Sequence, residues 1–236
     1  RRTMGWRLTD LASQCNLDDS TAQRIMSCLV ALRLAQQREK DRRYAPGPML
    51  FELALSLPDH FAFQNACHKN VERLAKDTGC TTFLFLRSGN DSVCIDRCGK
   101  SSIQLIVDVG TRRPLAGSAT GIAMLLALPP PEQRAIRQAN KKELMSVTSH
   151  RHISYDAMWK RSKLGGVGMI EEDILPGMGS LGVAILDASK RPFAAIGFSG
   201  SMDEVFEDRT RKIALLRAEA RKIEREQFPL INHQGV

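Results

Sequence analysis

Six cysteines, five histidines and one run of three adjacent carboxylates carry most of the reactive chemistry in this sequence. The cysteines (Cys15, Cys28, Cys67, Cys80, Cys94 and Cys98) form no CxxC pair, whereas a zinc site needs convergent Cys and His ligands at short spacings. Cys94 and Cys98 lie four apart in strand-like sequence with no histidine close by. The cysteines therefore read as reduced, buried, small apolar side chains. His150 and His152 alternate without a third ligand nearby and read as loop residues. Glu171, Glu172 and Asp173 occupy a glycine-flanked segment, where three carboxylates could relay protons or hold a divalent cation. No nucleophile, histidine base or second carboxylate cluster supports that chemistry, and a helix cap or solvated loop explains the run equally well. Gly177-Met178-Gly179-Ser180 lacks the spacing of a nucleophile elbow, and the sequence has neither a P-loop nor a GxGxxG. These patterns point away from an enzyme, a metal centre and a bound cofactor.

A different chemistry, hydrogen bonding to a polyanion, is written on one short stretch. Leu8, Leu11, Ala12 and Cys15 recur at helical spacing behind Thr9, a plausible N-cap, and Asn16-Leu17 breaks that helix. Asp18 or Asp19 then caps a second helix, whose residues Ala22, Ile25, Met26, Leu29 and Leu32 define one buried face. The opposite face offers Ser20, Thr21, Gln23, Arg24 and Ser27. Solvated faces usually carry Glu and Lys. Short hydroxyls, an amide and an arginine near a helix N-terminus suit phosphate oxygens and base edges in a major groove instead. Helix, tight turn, helix is the helix-turn-helix pattern, although a helix pair alone is weak evidence. Residues 36–44 follow as a polar hairpin, a wing that brings Arg38, Lys40, Arg42 and Arg43 near the DNA backbone. A solvated charged loop is the blander alternative.

The elements that must position these groups fit two domains. The chain has 236 residues, 43% hydrophobic and 25% charged, which excludes a disordered tail, a collagenous repeat and a coiled-coil rod. Half of its net charge of +8 falls before Pro48, where nine basic residues face five acidic ones. That bias fits polyanion binding and, equally, a solubilising surface. The longest apolar run, 121–128, is far too short to span a bilayer, and no leader opens the chain, so a cytosolic protein is expected. Its abrupt start at Arg1-Arg2-Thr3 looks truncated. Residues 49–57 form an apolar helix ended by Pro58, read as a linker between domains and part of a dimer contact. An amphipathic helix at 63–78 precedes strands at 81–87, 92–98 and 102–109. Helices are expected at 117–128 and 131–140 and after Ser154, then strands at 181–186 and 193–199 and a closing helix near 203–227. This is an α+β arrangement on an antiparallel sheet.

Several segments together resemble one family. Residues 8–34, with Asp19-Ser20-Thr21-Ala22-Gln23-Arg24, are similar to the helix-turn-helix of IclR-type bacterial transcriptional regulators, and Tyr44-Ala45-Pro46-Gly47 to the exit from their wing. Residues 109–121 resemble their G-x-R-x-P-L … A-x-G stretch, 166–173 with Pro176-Gly177 their acidic loop, and 193–200 their A-A-x-x-x-S-G strand. The resemblance implies a winged helix-turn-helix at 1–46 whose first helix is missing before Arg1, a linker helix at 47–60, and a GAF-like effector-binding domain at 61–236. It implies a homodimer or dimer of dimers that binds a double-stranded DNA operator and a small organic carboxylate. Carried over, the effector site comprises Ser118, Ala119 and Thr120 at the start of a small-residue helix, Glu171 and Ser180, with Leu105 and Met178 lining it. Helix-start N–H groups at Ala119 and Thr120 suit a carboxylate. The sequence departs from the family pattern at Ile122, Glu171 and Ser180. Arg112 and Arg113 invite a salt bridge to an acidic effector, but arginine before proline at a strand end is as often surface structure.

Overall fold

Short polar caps and turn residues divide the chain into its elements. In the computed structural model, residues 5–55, 58–100, 107–146 and 153–228 are described. They fall into two units, Arg1–Ala62 and Phe63–Val236. In the first, helix α1 (Leu8–Cys15) stops at Asn16, whose left-handed backbone (φ 52°) suits asparagine better than a bulkier residue. Asp18 caps α2 (Asp19–Ala31), and the small buried residues Ala12 and Ala22 let the two helices approach. Strands β1 (Ala35–Gln37) and β2 (Tyr44–Pro46) pair antiparallel as the expected wing. Trp6 adds a bridge to Tyr44, each N–H reaching the other's carbonyl at 2.9 and 2.8 Å. No sequence pattern announced that third extended segment.

The apolar face expected for α2 is only partly covered. Ala22 is buried and Met26 and Leu29 half-buried, but Ile25 is 44% and Leu32 60% exposed. Among the described residues, two short helices and a two-stranded ribbon supply too little apolar surface to enclose the whole face. Helix α3 (Met49–Leu55) likewise exposes Leu50, Leu53 and Phe51, the last by 67%.

Helix α4 (Pro58–Thr78) begins five residues before the expected start, with Pro58 in the first turn, where a missing N–H costs nothing. Beyond it the second unit is built on an antiparallel sheet with six strands among the described residues. Its strands are β3 (Thr81–Ser88), β4 (Asp91–Cys98), β5 (Arg112–Pro114), β6 (Gly168–Glu171), β7 (Met178–Leu186) and β8 (Pro192–Ser201), in the order β5-β4-β3-β8-β7-β6. Of the third strand expected at 102–109, residues 102–106 lie outside the described residues, and 107–109 are not strand. Among the described residues, the short strand β5 pairs with β4, and Gly110 turns the chain back onto Cys94.

Helix α4 and α9 (Arg209–Gln227) cover one face of the sheet, packing Val71, Leu74, Leu216 and Ile223 against Leu84 and Ile196. The other face carries α5 (Ala119–Leu126), α6 (Pro130–Ser146) and α7 (Tyr155–Gly165). Strand alternation sends Leu84 to the first face and its neighbours Phe83 and Phe85 to the second. The closing helix is really two, α8 (Met202–Phe206) and α9, separated at Asp208 (φ 51°). A capping box starts α8: Ser201 Oγ accepts from Glu204 N at 3.1 Å and Ser201 N donates to Glu204 Oε2 at 2.7 Å. No helix among the described residues is long and apolar enough to cross a membrane.

Candidate DNA-facing surface and effector cavity

On α2, the cap organises the polar face. Asp18 accepts from Thr21 N at 2.8 Å, Thr21 Oγ1 at 2.8 Å and Ser20 Oγ at 2.5 Å. Those hydrogen bonds, led by that from Ser20, hold its carboxyl below the usual carboxylate range. The Ser20 and Thr21 hydroxyl protons, expected to face DNA, thus serve the cap, and each oxygen keeps lone pairs to accept with. Gln23 Nε2 donates to Ser27 Oγ at 3.4 Å, and Arg24 is exposed. A carboxyl with a lowered folded pKa contributes stability that is present above its unfolded pKa and lost only as pH falls through the folded value. Asp18→Ala is therefore expected to lower the melting temperature of the first unit by the same amount at pH 5 and pH 8. A loss that grows between those two values, in thermal melts followed by circular dichroism, would contradict this account.

The wing treats its four cations differently. Arg38 grips Asp41 through Nε at 3.1 Å and Nη2 at 2.6 Å. Arg43 lies 3.6 Å from the same carboxylate and donates to Gly5 O at 3.2 Å. Lys40 and Arg42 are exposed at the turn, where Arg42 adopts a left-handed backbone (φ 55°). So Arg38 and Arg43 build the turn, and Lys40 and Arg42 project from it.

In the second unit, a cavity of about 200 Å³ opens between the sheet and the first turn of α5. Close approach makes this geometry. A Cβ on Gly168 would lie 1.8 Å from Ala119 O, and one on Gly182 would lie 2.8 Å from Thr120 N. Only glycine lets β6 and β7 touch the helix start. Ser118 caps α5, its Oγ accepting from Gly121 N at 3.0 Å. Ser118, Ala119, Thr120, Ser180 and Met178 all line the cavity, as do Phe83, Phe85 and Phe198. Ser180 and Ser199 face each other across β7 and β8, with their hydroxyls 2.7 Å apart.

Glu171 does not line the cavity. Alternation along β6 turns Ile170 inward, and Glu171 lies 3.5 Å from Arg161 and 3.8 Å from Arg209 instead. Asp173 pairs with Arg161 as well and accepts from Glu171 N at 2.8 Å. The acidic run is thus an ion-paired turn. Leu105 lies outside the described residues, as do His150 and His152. Sequence reasoning missed the aromatic walls and Ser199. Strict alternation within 81–88 could have found Phe83 and Phe85, and pairing β7 with β8 could have found Ser199. Arg113 lines the cavity, while its neighbour Arg112 faces out, bonding Asp91 at 2.8 Å and Ser88 at 3.0 Å. Burial lowers the pKa of the Arg113 guanidinium.

Burial also pushes the Cys67 and Cys94 thiols up to about 12, which leaves them inert. Cys15 and Cys28 are exposed, against expectation, because the first unit encloses so little. Among the described residues, no group of three His, Cys, Asp or Glu side chains could hold a metal ion.

Residues 59–225 match the family model described as bacterial transcriptional regulator IclR C-terminal, and residues 1–39 match the IclR helix-turn-helix domain. The chain is 24% identical over 223 residues to the transcriptional repressor IclR of Escherichia coli strain K12, covering 91% of this chain and 80% of that protein. Among solved structures, an IclR family transcriptional regulator from Brucella abortus aligns with a TM-score of 0.70 at 16% identity, over 94% of this chain and 86% of that one. An IclR homologue from Microbacterium hydrocarbonoxydans, in complex with 4-hydroxybenzoate, aligns with a TM-score of 0.69 at 17% identity, over 94% and 91%.

Proposed function

The chain belongs to the IclR family of bacterial transcriptional regulators, and on that premise we propose that a small aromatic carboxylate in the second unit's cavity sets its affinity for one DNA operator. It is a DNA-binding regulator and not an enzyme. The observation that carries the effector reading is the cavity itself: apolar and aromatic walls, a few hydroxyls and a helix start, the composition small-molecule sites require. An apolar cavity of about 150 Å³ already accepts a benzene ring, so this one has room for one ring. The 4-hydroxybenzoate held by the Microbacterium homologue supports the same ligand class.

In this reading Arg24 and Gln23, with the accepting oxygens of Ser20 and Thr21, read the major groove, and the wing contacts phosphates. Lys40 and Arg42 supply the wing's phosphate contacts, and Arg38 and Arg43 shape it. The chain acts in the cytoplasm as a dimer or dimer of dimers, a state favoured by the exposed Leu50, Phe51 and Leu53 of α3. The effector acts by binding one arrangement of the dimer better than the other, a coupling of about 5- to 150-fold.

The test is selection of an operator from random duplexes with the full chain, then mobility shifts with and without benzoate and its ring-substituted relatives. A change in operator affinity of about tenfold or more with at least one acid is expected. No sequence preference, or indifference to every acid, would sink the proposal. Lys40→Ala combined with Arg42→Ala should weaken every DNA sequence alike and lower the slope of log affinity against log salt by about 2. An unchanged slope would remove the wing from the DNA contact.

A further inference from the structure

A second cavity, of about 220 Å³, lies in the second unit between α6 and α7. It shares no described lining residue with the effector cavity, although the two approach each other at one short turn. Ala116 lines the second, and Gly117, its neighbour, lines the first. Ile122 and Leu125 of α5, with Leu144, give it an apolar wall. On the α6 side, Arg134, Arg137, Gln138 and Lys141 recur at spacings of three, one and three, which places them on one helical face. Helix α7 supplies Tyr155, Asp156 and Trp159 opposite them. The cations are unequally engaged. Arg137 Nη2 and Lys141 Nζ donate to the two oxygens of Asp156 at 3.0 and 3.1 Å. Arg137 also lies over the Trp159 ring, 4.3 Å from its centroid, which fixes the guanidinium in place. Arg134, one turn earlier, makes no ion pair or hydrogen bond among the described residues, and nor do the side chains of Gln138 and Tyr155. Three cations against one carboxylate leave the lining with an excess of two positive charges.

That excess and that geometry define a guest. A cavity of about 150 Å³ already accepts a benzene ring, so one ring fits against the apolar wall. Arg134 and Arg137 stand about 4.5 Å apart along the helix axis, a separation that two carboxylates on one ring can bridge. Arginine presents a planar fork that matches a carboxylate. Asp156 already shows what the engaged end accepts, because its side chain is an exposed carboxylate bridging Arg137 and Lys141. We infer that this cavity is a second ligand site, selective for a small aromatic dicarboxylate. One carboxylate meets Arg134, and the other takes the place of Asp156 between Arg137 and Lys141. Asp156 is thereby a built-in competitor that swings into solvent when the site fills. The inference stands apart from the effector reading, since it needs neither an operator nor an occupant of the first cavity.

Trp6 and Trp159 are the two tryptophans of the chain, so in the full chain carrying Trp6→Phe the emission comes from Trp159, on the wall of this cavity. Isophthalate and benzoate, alike but for one carboxylate, are titrated against that protein. Isophthalate should change the emission saturably and bind roughly 10- to 100-fold tighter than benzoate, the span of one added charge-assisted contact. Arg134→Gln, which removes no contact within the fold, should already cut that preference several-fold. Adding Lys141→Gln should bring the ratio close to one, with thermal melts to show that the second unit stays folded. Asp156→Asn should tighten isophthalate, because the competing carboxylate is gone and its two cations are released. If isophthalate gives no saturable change, or binds no tighter than benzoate, the inference is overturned. It is overturned equally if Arg134→Gln keeps the full preference or if Asp156→Asn weakens isophthalate.

Discussion

Gly168→Ala is expected to unfold the second unit under conditions where the wild type is stable. The added Cβ would sit 1.8 Å from the carbonyl oxygen of Ala119, 2.7 Å from its carbon and 3.0 Å from Ala123 N. All three neighbours are backbone atoms, so no side-chain rotation relieves the clash. Overpacking against mobile side chains costs about 1–3 kcal/mol, and a clash with helix backbone exceeds that range. Domains of this kind are stable by only about 5–15 kcal/mol in total. Relief would require α5 to lift from β6, and that movement would also separate Ser118, Ala119 and Thr120 from the sheet side of the cavity. Urea titration followed by tryptophan fluorescence reads the outcome through Trp159, which lies in the second unit. A midpoint equal to that of the wild type would show that α5 is not seated on β6 as described.

Arg24→Ala is expected to weaken binding to the selected operator by about 10- to 100-fold and to leave random DNA nearly unaffected. The argument rests on position. Arg24 lies on the polar face of α2, exposed, nearly two turns beyond the Asp18 cap that fixes the helix start. Its folded-state contacts are few, so the substitution costs the helix little, and the loss appears in recognition. Competition mobility shifts against both DNAs give the ratio directly. Equal loss on both would make Arg24 a backbone contact and transfer base reading to Gln23 and the hydroxyls.

The positions that sequence could locate are those whose signal is local. The two helices of the first unit, with their Asp18 cap and the wing hairpin, follow from spacing and turn chemistry within residues 8–46. So does the start of α5 at Ser118. What escaped notice depended on pairing between distant segments. Trp6 joins Tyr44 through backbone bonds that leave no mark on side-chain pattern. The pairing of 112–114 with β4 depends on where Gly110 turns the chain. Glu171 sat on the expected segment but on the wrong side of its strand, since a one-residue choice of phase exchanges the two faces. The same parity decided between Arg112 and Arg113, which are indistinguishable in composition and opposite in placement. The capping box of Ser201 and Glu204 marks where α8 starts, but the break before α9 lies at the left-handed Asp208, which no residue pattern announces.

The glycines beneath α5 have a consequence for how such a protein can diversify. At Gly168 and Gly182 every larger residue collides with helix backbone, so that side of the chamber is frozen. Ile174 and Leu175, also on the lining, lie outside the buried core and meet no such backbone constraint, so they can be exchanged one at a time. A container with a fixed base and interchangeable panels can be refitted for guests of new size or charge without reopening the problem of folding. Its chemical vocabulary can change while its architecture keeps still.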